Sequence, residues 1–250
     1  MLSAMALQPP CAILPVLIPV PNITSVKRMN TFNYFGPVQT SIATEASKFL
    51  ATVTNAVEAE VACAIESFVL ATHHDCVGEA DQKNACWFTL RVTQPLDEFE
   101  VPRWHQDGRM FPCDEGREEI VRSKYALTML GPTTLMLQPD AHVFTTYREG
   151  QFKHFWWEQT STKHTPTDEE VDRAEDDLRY WLAEEFEGAD QVPVKDGEVV
   201  RFSWGRDDSP VHSEPDLTSD RVFMTVLYGS EAELHRMCEW RNAKYGDFDF

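Results

Sequence analysis

Three side chains in two short stretches have the types and spacing to hold one metal ion. In Trp104-His105-Gln106-Asp107-Gly108-Arg109, His105 and Asp107 are separated by a single residue. Successive side chains alternate faces along an extended chain, so these two leave the same side and can grip one ion together. The late stretch Pro210-Val211-His212-Ser213 supplies a second imidazole. Two histidines and one carboxylate suit non-haem Fe(II) and leave positions open for other ligands. The same set suits zinc with a bound water, the arrangement of a metal-dependent hydrolase. A hydrolase would also need a general base, and nothing in the sequence singles one out. A third reading is a non-catalytic β-sandwich binding protein, because His-x-Asp alone arises by chance in acidic chains.

Arg221 comes nine residues after His212 and opens the apolar run Arg221 to Tyr228. In a strand, Arg221, Phe223 and Thr225 share one face. A positive charge on an inward strand face is costly unless paired. A dicarboxylate ligand would pair it through a two-pronged guanidinium contact. A protein carboxylate would serve as well, in a chain with 41 acidic residues.

Taken in order, His-x-Asp, a late His and an Arg on the following strand resemble the Fe(II)/2-oxoglutarate-dependent oxygenases. Trp104 to Asp107 and Pro210 to Tyr228 are most similar to the phytanoyl-CoA dioxygenase-like branch. The resemblance spans roughly Val101 to Tyr228. It implies a double-stranded β-helix, or jelly roll, and Fe(II) held by His105, Asp107 and His212. It further implies 2-oxoglutarate as cosubstrate, its far carboxylate meeting Arg221, and O2 as oxidant. The expected reaction hydroxylates or desaturates a small organic molecule and releases succinate and CO2. Related halogenases usually carry a small residue where Asp107 stands. Two features depart from the family. Some relatives place a serine two residues beyond the arginine, where this chain has Phe223; Thr225 or Tyr125 are the substitutes for holding the cosubstrate. The separation of Asp107 from His212 is also long, which a helical insertion would explain. Trp104, Arg103, Arg109 and Trp204 flank the ligands in sequence and are candidate substrate-pocket walls, although tryptophans there can equally be core and the arginines surface ion pairs.

The surrounding elements must position these groups. From Ser41 to Ala71, Ile42, Phe49, Val53, Val57, Val61, Ile65 and Phe68 recur at helical spacing, as one long helix or two broken near Thr54-Asn55. His73-His74-Asp75 reads as a helix end. From Trp87 the period becomes two, which predicts a strand through Phe88, Leu90 and Val92. Further extended segments are expected at Phe99 to Val101, Lys124 to Leu130, Thr133 to Leu137, His142 to Tyr147, Val199 to Trp204 and Arg221 to Tyr228. Gly150 to Gly188 reads as a helical insertion. It opens with the capping box Thr167-Asp168-Glu169-Glu170 and carries the stripe Val171, Ala174, Leu178, Trp181, Leu182 and Phe186. Phe155, Trp156 and Trp157 either pin it to the core or form a lid. Ser230 with Glu233 caps a last helix bearing Leu234, Met237 and Trp240.

These patterns predict one α+β, mainly β domain over 1–250. Helical support occupies about 38–75, the β-core about 87–229 with its insertion at about 150–188, and the last helix about 230–245. A length of 250 residues suffices for one sizeable core. The net charge of −19 disfavours nucleic acid or an anionic membrane as partner, and the expectation of a small-molecule substrate comes mainly from the resemblance. Six cysteines without a C-x-x-C pair read as reduced thiols of a cytoplasmic protein. Cys11 to Val20 is apolar but interrupted by Pro15 and Pro19, and reads as an extended segment over the core.

Overall fold

The computed structural model describes residues 9–76, 83–95, 101–114, 122–158, 164–216 and 218–245. Six strands form one sheet in the order β1 (Cys11–Leu17), β6 (Glu198–Ser203), β4 (Ser123–Leu130), β8 (Arg221–Gly229), β3 (Ala85–Thr93), β2 (Asn30–Pro37). Every pairing is antiparallel. The central strand β8 is rich in β-branched and aromatic residues, which fit a pleated surface buried on both faces.

The two faces of this sheet differ. On one, Val222, Met224, Val226 and Tyr228 of β8 join Phe88, Leu90 and Val92 of β3 in a core closed by two helices, α1 (Ser41–Val53) and α2 (Glu58–Cys76). On the other, Arg221, Phe223, Thr225 and Leu227 look into a cavity. The period of two therefore sorts β8 into a core row and a functional row.

A smaller sheet stands on the cavity side. Strand β5 (Leu135–Met136) pairs with β7 (His212–Ser213). Isolated bridges extend it at both edges, His105 to His212 and Leu137 to Gln191. Between β5 and β6 the chain makes a helical excursion, α3 (Ala141–His154) and α4 (Asp168–Glu185). Their apolar faces enclose a cluster with Trp104, Leu137 and Val211, so the excursion braces the small sheet from behind. The last helix, α5 (Glu231–Tyr245), packs Leu234, Met237 and Cys238 against Phe111, Trp204 and Leu227.

Several expectations correspond to observed elements. The N-terminal stripe is two helices, broken after Val53. The break leaves Val57 outside both helices and 54 % exposed. Cys11–Leu17 is extended, as the edge strand β1. The capping box at Thr167 is formed, with Thr167 N–H donating to Glu170 Oε2 at 2.8 Å and Glu170 N–H to Thr167 Oγ1 at 3.3 Å. Ser230 and Glu233 make the same reciprocal pair, while Trp240 of α5 is 39 % exposed rather than buried.

Three expectations need correction. His142 to Tyr147 lies within a helix, not a strand. Asp140 caps α3 by accepting from the Val143 N–H at 2.8 Å, and Val143, Thr146 and Gly150 then bury one face. Local β-propensity loses to a cap and a helical stripe. Gly150 is consequently not where the excursion begins but where its helices touch. A Cβ there would lie 2.6 Å from the Trp181 ring and 2.8 Å from Leu178. Strand β2 carries Asn30, Asn33, Gly36 and Pro37, poor strand formers, and was not expected; it holds through pairing with β3 along its whole length. Finally, helix exceeds strand, 39 % against 27 %, so the chain is mixed α and β with antiparallel sheets rather than mainly β. The extended segment expected at 99–101 falls almost wholly outside the described residues. All six cysteines are free. No helix among the described residues is long and apolar enough to cross a membrane.

Candidate metal centre

His105, Asp107 and His212 come together. One ligand atom from each lies within 4.8 Å of the others. His105 Nε2 is 4.0 Å from Asp107 Oδ1, and His212 Nε2 is 3.7 Å from Asp107 Oδ2. The two histidines occupy directly opposed positions of an antiparallel bridge. His105 N–H donates to His212 C=O at 2.8 Å, and His212 N–H returns the bond at 2.9 Å. Their ring centroids are 4.3 Å apart.

The backbone also fixes which nitrogen of each ring is available. His105 Nδ1 is 2.8 Å from the Arg103 carbonyl, and His212 Nδ1 is 3.1 Å from the Pro210 carbonyl. A carbonyl oxygen only accepts, so each Nδ1 carries the proton and each Nε2 keeps its lone pair. Both lone pairs belong to the nitrogens nearest Asp107, as a shared ion requires.

Asp107 adds the charge. Its Oδ2 is buried and is met by the Lys124 ammonium at 2.5 Å. Burial pushes the Asp107 carboxyl up; Lys124, His212 and His105 outweigh that and hold it near 2. Burial, reinforced by His105, lowers the His212 imidazole to about 4, so this ring is neutral and ready to ligate near pH 7. An ionised carboxylate, a neutral His212 and a His105 whose Nε2 faces them make a donor set that fits a divalent cation.

The centre opens into a cavity of about 440 Å³ between the two sheets. Arg221 lies at one end, 3 % exposed. Its Nε donates to the Pro132 carbonyl at 3.0 Å and its Nη2 to Thr134 Oγ1 at 3.2 Å, and its guanidinium covers the Phe223 ring at 4.2 Å. No carboxylate among the described residues is recorded within salt-bridge distance of it. Burial pulls its pKa down to about 10, against an opposing pull from the Glu214 carboxylate on the same cavity wall.

The other sequence candidates divide. Thr225 and Arg103 line the cavity. Tyr125 does not: it points to the helix side of the large sheet and donates to Asp75 Oδ2 at 2.7 Å. Parity excludes it, since its neighbour Lys124 takes the cavity face. Trp104 is buried against Phe186 behind the small sheet, and Trp204 against Phe111 under α5. Arg109 lines an adjacent groove and donates to the Asp114 carbonyl at 2.8 Å. Phe155, Trp156 and Trp157 are not among the cavity walls; Phe155 packs into the α3–α4 cluster.

Among the cavity residues that sequence reasoning missed, two stand beside the candidate ligands, Lys124 and Glu214. Lys124 is a charge inside a strand whose next five residues are buried or apolar, which was a legible signal. Glu214 stands two residues beyond His212 and so shares its face; it is gripped by Arg103 at 3.1 and 3.2 Å and by Arg91 at 3.8 Å. No protein-family model matches this chain, and no curated protein matches it.

Proposed function

We propose that this chain is a non-haem Fe(II)- and 2-oxoglutarate-dependent oxygenase acting on a small organic molecule. The observation that carries the reading is one cavity holding both a two-histidine, one-carboxylate cluster and a buried arginine that, among the described residues, makes no ion pair with a carboxylate. The large sheet and the four-segment small sheet are, in this reading, the two layers of a double-stranded β-helix.

His105 and His212 would hold the ion through Nε2, locked in that tautomer by the Arg103 and Pro210 carbonyls. Asp107 would neutralise one of its two charges. Iron bound with the keto acid supplies the activation of O2 for oxidising a C–H bond. Arg221 would receive the far carboxylate, its fork kept in plane by Pro132 and Thr134. Phe202 and Phe223 line the space around the ligands and keep it poor in water, which strengthens each charge contact.

The zinc-hydrolase reading needs a base. Glu214 is the other carboxylate on the cavity wall among the described residues. Burial works to raise it, but Arg103 prevails and holds it near 2, too weak a base to take a proton from water at pH 7. The test is anaerobic Fe(II) titration with and without 2-oxoglutarate. A visible charge-transfer band requiring both supports the oxygenase; its absence with metal bound refutes it.

A further inference from the structure

The cavity floor carries a polar strip beyond the metal cluster and Arg221. In register across three neighbouring strands stand Asn33 of β2, Thr89 of β3 and Thr225 of β8. All three line the cavity. Neighbouring strands lie about 4.8 Å apart, so the row spans roughly 10 Å. Asn33 is exposed at the outer end, and Thr89 and Thr225 are half-buried. At the inner end Thr225 pairs with Ala126 of β4. That pairing places it diagonal to Lys124, at roughly 7–8 Å, and Lys124 touches Asp107. The row therefore runs from the edge of the sheet toward the metal centre.

Hydrogen bonds fix the polarity of the strip. Trp87 Nε1 donates to Asn33 Oδ1 at 3.1 Å, and Thr89 Oγ1 donates to the same oxygen at 2.9 Å. An indole N–H only donates, so the amide atom that faces it is the oxygen. The amide nitrogen of Asn33 is thus turned the other way. It carries two N–H donors, for which no acceptor is recorded among the described residues. Thr89 has committed its one proton to Asn33, so its oxygen can only accept. A donor and an acceptor therefore stand side by side on adjacent strands, facing one cavity. Trp87 and Leu227, paired with each other in the next row, line the cavity beside them as an apolar wall.

We infer that Asn33 and Thr89 form a substrate subsite for a neutral group that both accepts and donates a hydrogen bond, a primary amide or a hydroxyl. Such a group takes an N–H from Asn33 and gives its own proton to Thr89. A carboxylate has no proton for Thr89, and an ammonium has no lone pair for Asn33, so either one leaves a polar atom unmet. The body of the bound molecule then lies over Thr225, toward the metal. The inference rests on the proposed function in taking that molecule as the compound oxidised.

The experiment uses the full chain loaded with Mn(II) and saturated with 2-oxoglutarate. Four probes with one phenyl body are titrated by calorimetry: phenylacetamide, 2-phenylethanol, phenylacetate and 2-phenylethylamine. The two neutral probes are expected to bind about 10-fold tighter than the two ions, the effect of one unmet polar atom. The tighter of the neutral pair tells amide from hydroxyl. Asn33→Asp keeps an oxygen for Trp87 and Thr89 but turns the donor into an acceptor, so it should move the preference to 2-phenylethylamine. Thr89→Val keeps the shape without the oxygen and should bring phenylacetate level with phenylacetamide. Circular dichroism confirms the fold of each variant, and if one does not fold the other decides. Equal binding of the four probes, no binding of either neutral probe, or a neutral preference unchanged in a folded variant overturns the subsite. Binding of 2-oxoglutarate itself is recorded first on the same preparation. If it fails while the neutral preference still follows Asn33 and Thr89, the cosubstrate reading falls and the subsite stands; if 2-oxoglutarate binds and the probes are not discriminated, the subsite alone falls.

Discussion

His105 and His212 exchange backbone hydrogen bonds of 2.8 and 2.9 Å across an antiparallel bridge, and that exchange sets the spacing of their rings. The small sheet thus determines where two of the three candidate ligands stand before any ion arrives. Asp107 completes the set from the same segment as His105.

Each ligand is therefore expected to be indispensable. His105→Ala, Asp107→Ala and His212→Ala should each weaken Co(II) or Mn(II) binding by more than about 100-fold, beyond what loss of an outer partner causes. Far-UV circular dichroism should stay unchanged. Metal titration followed by optical or paramagnetic signals checks this, and a variant that keeps wild-type affinity removes its residue from the set.

Lys124 competes with the ion for Asp107 Oδ2. Lys124→Met should raise metal affinity severalfold when no cosubstrate is present, because an ammonium no longer has to be displaced. The same change leaves a buried carboxylate without its cation and should cost the metal-free protein about 2 kcal/mol. Urea melts with and without Mn(II) separate the two effects.

Arg221→Met should retain the metal and lose 2-oxoglutarate. Removing one partner of a desolvated charge pair costs about 2–5 kcal/mol, a fall in affinity of about 30-fold or more. Arg221→Lys should fall between, keeping charge without the fork. Tyr125→Phe, on the far face of the sheet, should leave this affinity alone. Calorimetry of the Mn(II)-loaded variants decides.

The metal-free protein should lose stability in acid in two successive windows. His212 titrates near 6.5 when exposed and near 4 when folded, so the unfolded chain takes up its proton first. Its contribution is complete above pH 6.5 and is lost as pH falls toward 4, on the order of 3 kcal/mol. Asp107 is depressed from 3.8 to about 2, so its contribution is present above pH 4 and disappears between about 4 and 2. Urea midpoints from pH 7 to pH 4 should decline for the wild type and flatten in His212→Gln.

Gly150 is expected to resist enlargement. Alanine would gain about 1 kcal/mol of helix propensity, but a Cβ would press on the rigid Trp181 ring, and overpacking costs about 1–3 kcal/mol. Gly150→Val, larger and β-branched, should lower stability by about 2 kcal/mol or more by thermal melting, with metal affinity retained. A rise in melting temperature would mean that α3 and α4 are not in close contact there.

Much of the site was legible because it depends on parity. His105 with Asp107, and Arg221 with Thr225, are same-face pairs that any extended chain would produce. Tyr125 fails on the same ground, since it lies one step out of phase with Lys124, which takes the cavity face. Trp104 and Trp204 adjoin ligands in sequence yet face away from the cavity, which adjacency cannot reveal. Valine, threonine and tyrosine give His142 to Tyr147 a strand-like composition, but in the fold the Asp140 cap makes it helix α3. Strand β2 owes its existence to a partner distant in sequence, and no local window contains that information.

The two-faced sheet bears on how this gene can change length. One codon inserted within β8 would send Arg221, Phe223, Thr225 and Leu227 into the helix-packed core, or bring Val222, Met224, Val226 and Tyr228 out into the cavity. Either outcome destroys the core and the site together, so the central strands can lengthen or shorten only in steps of two. The connection between α3 and α4 carries no such phase. Drift in chain length among descendants of this sequence should collect there, between two ligand-bearing segments whose own lengths stay fixed.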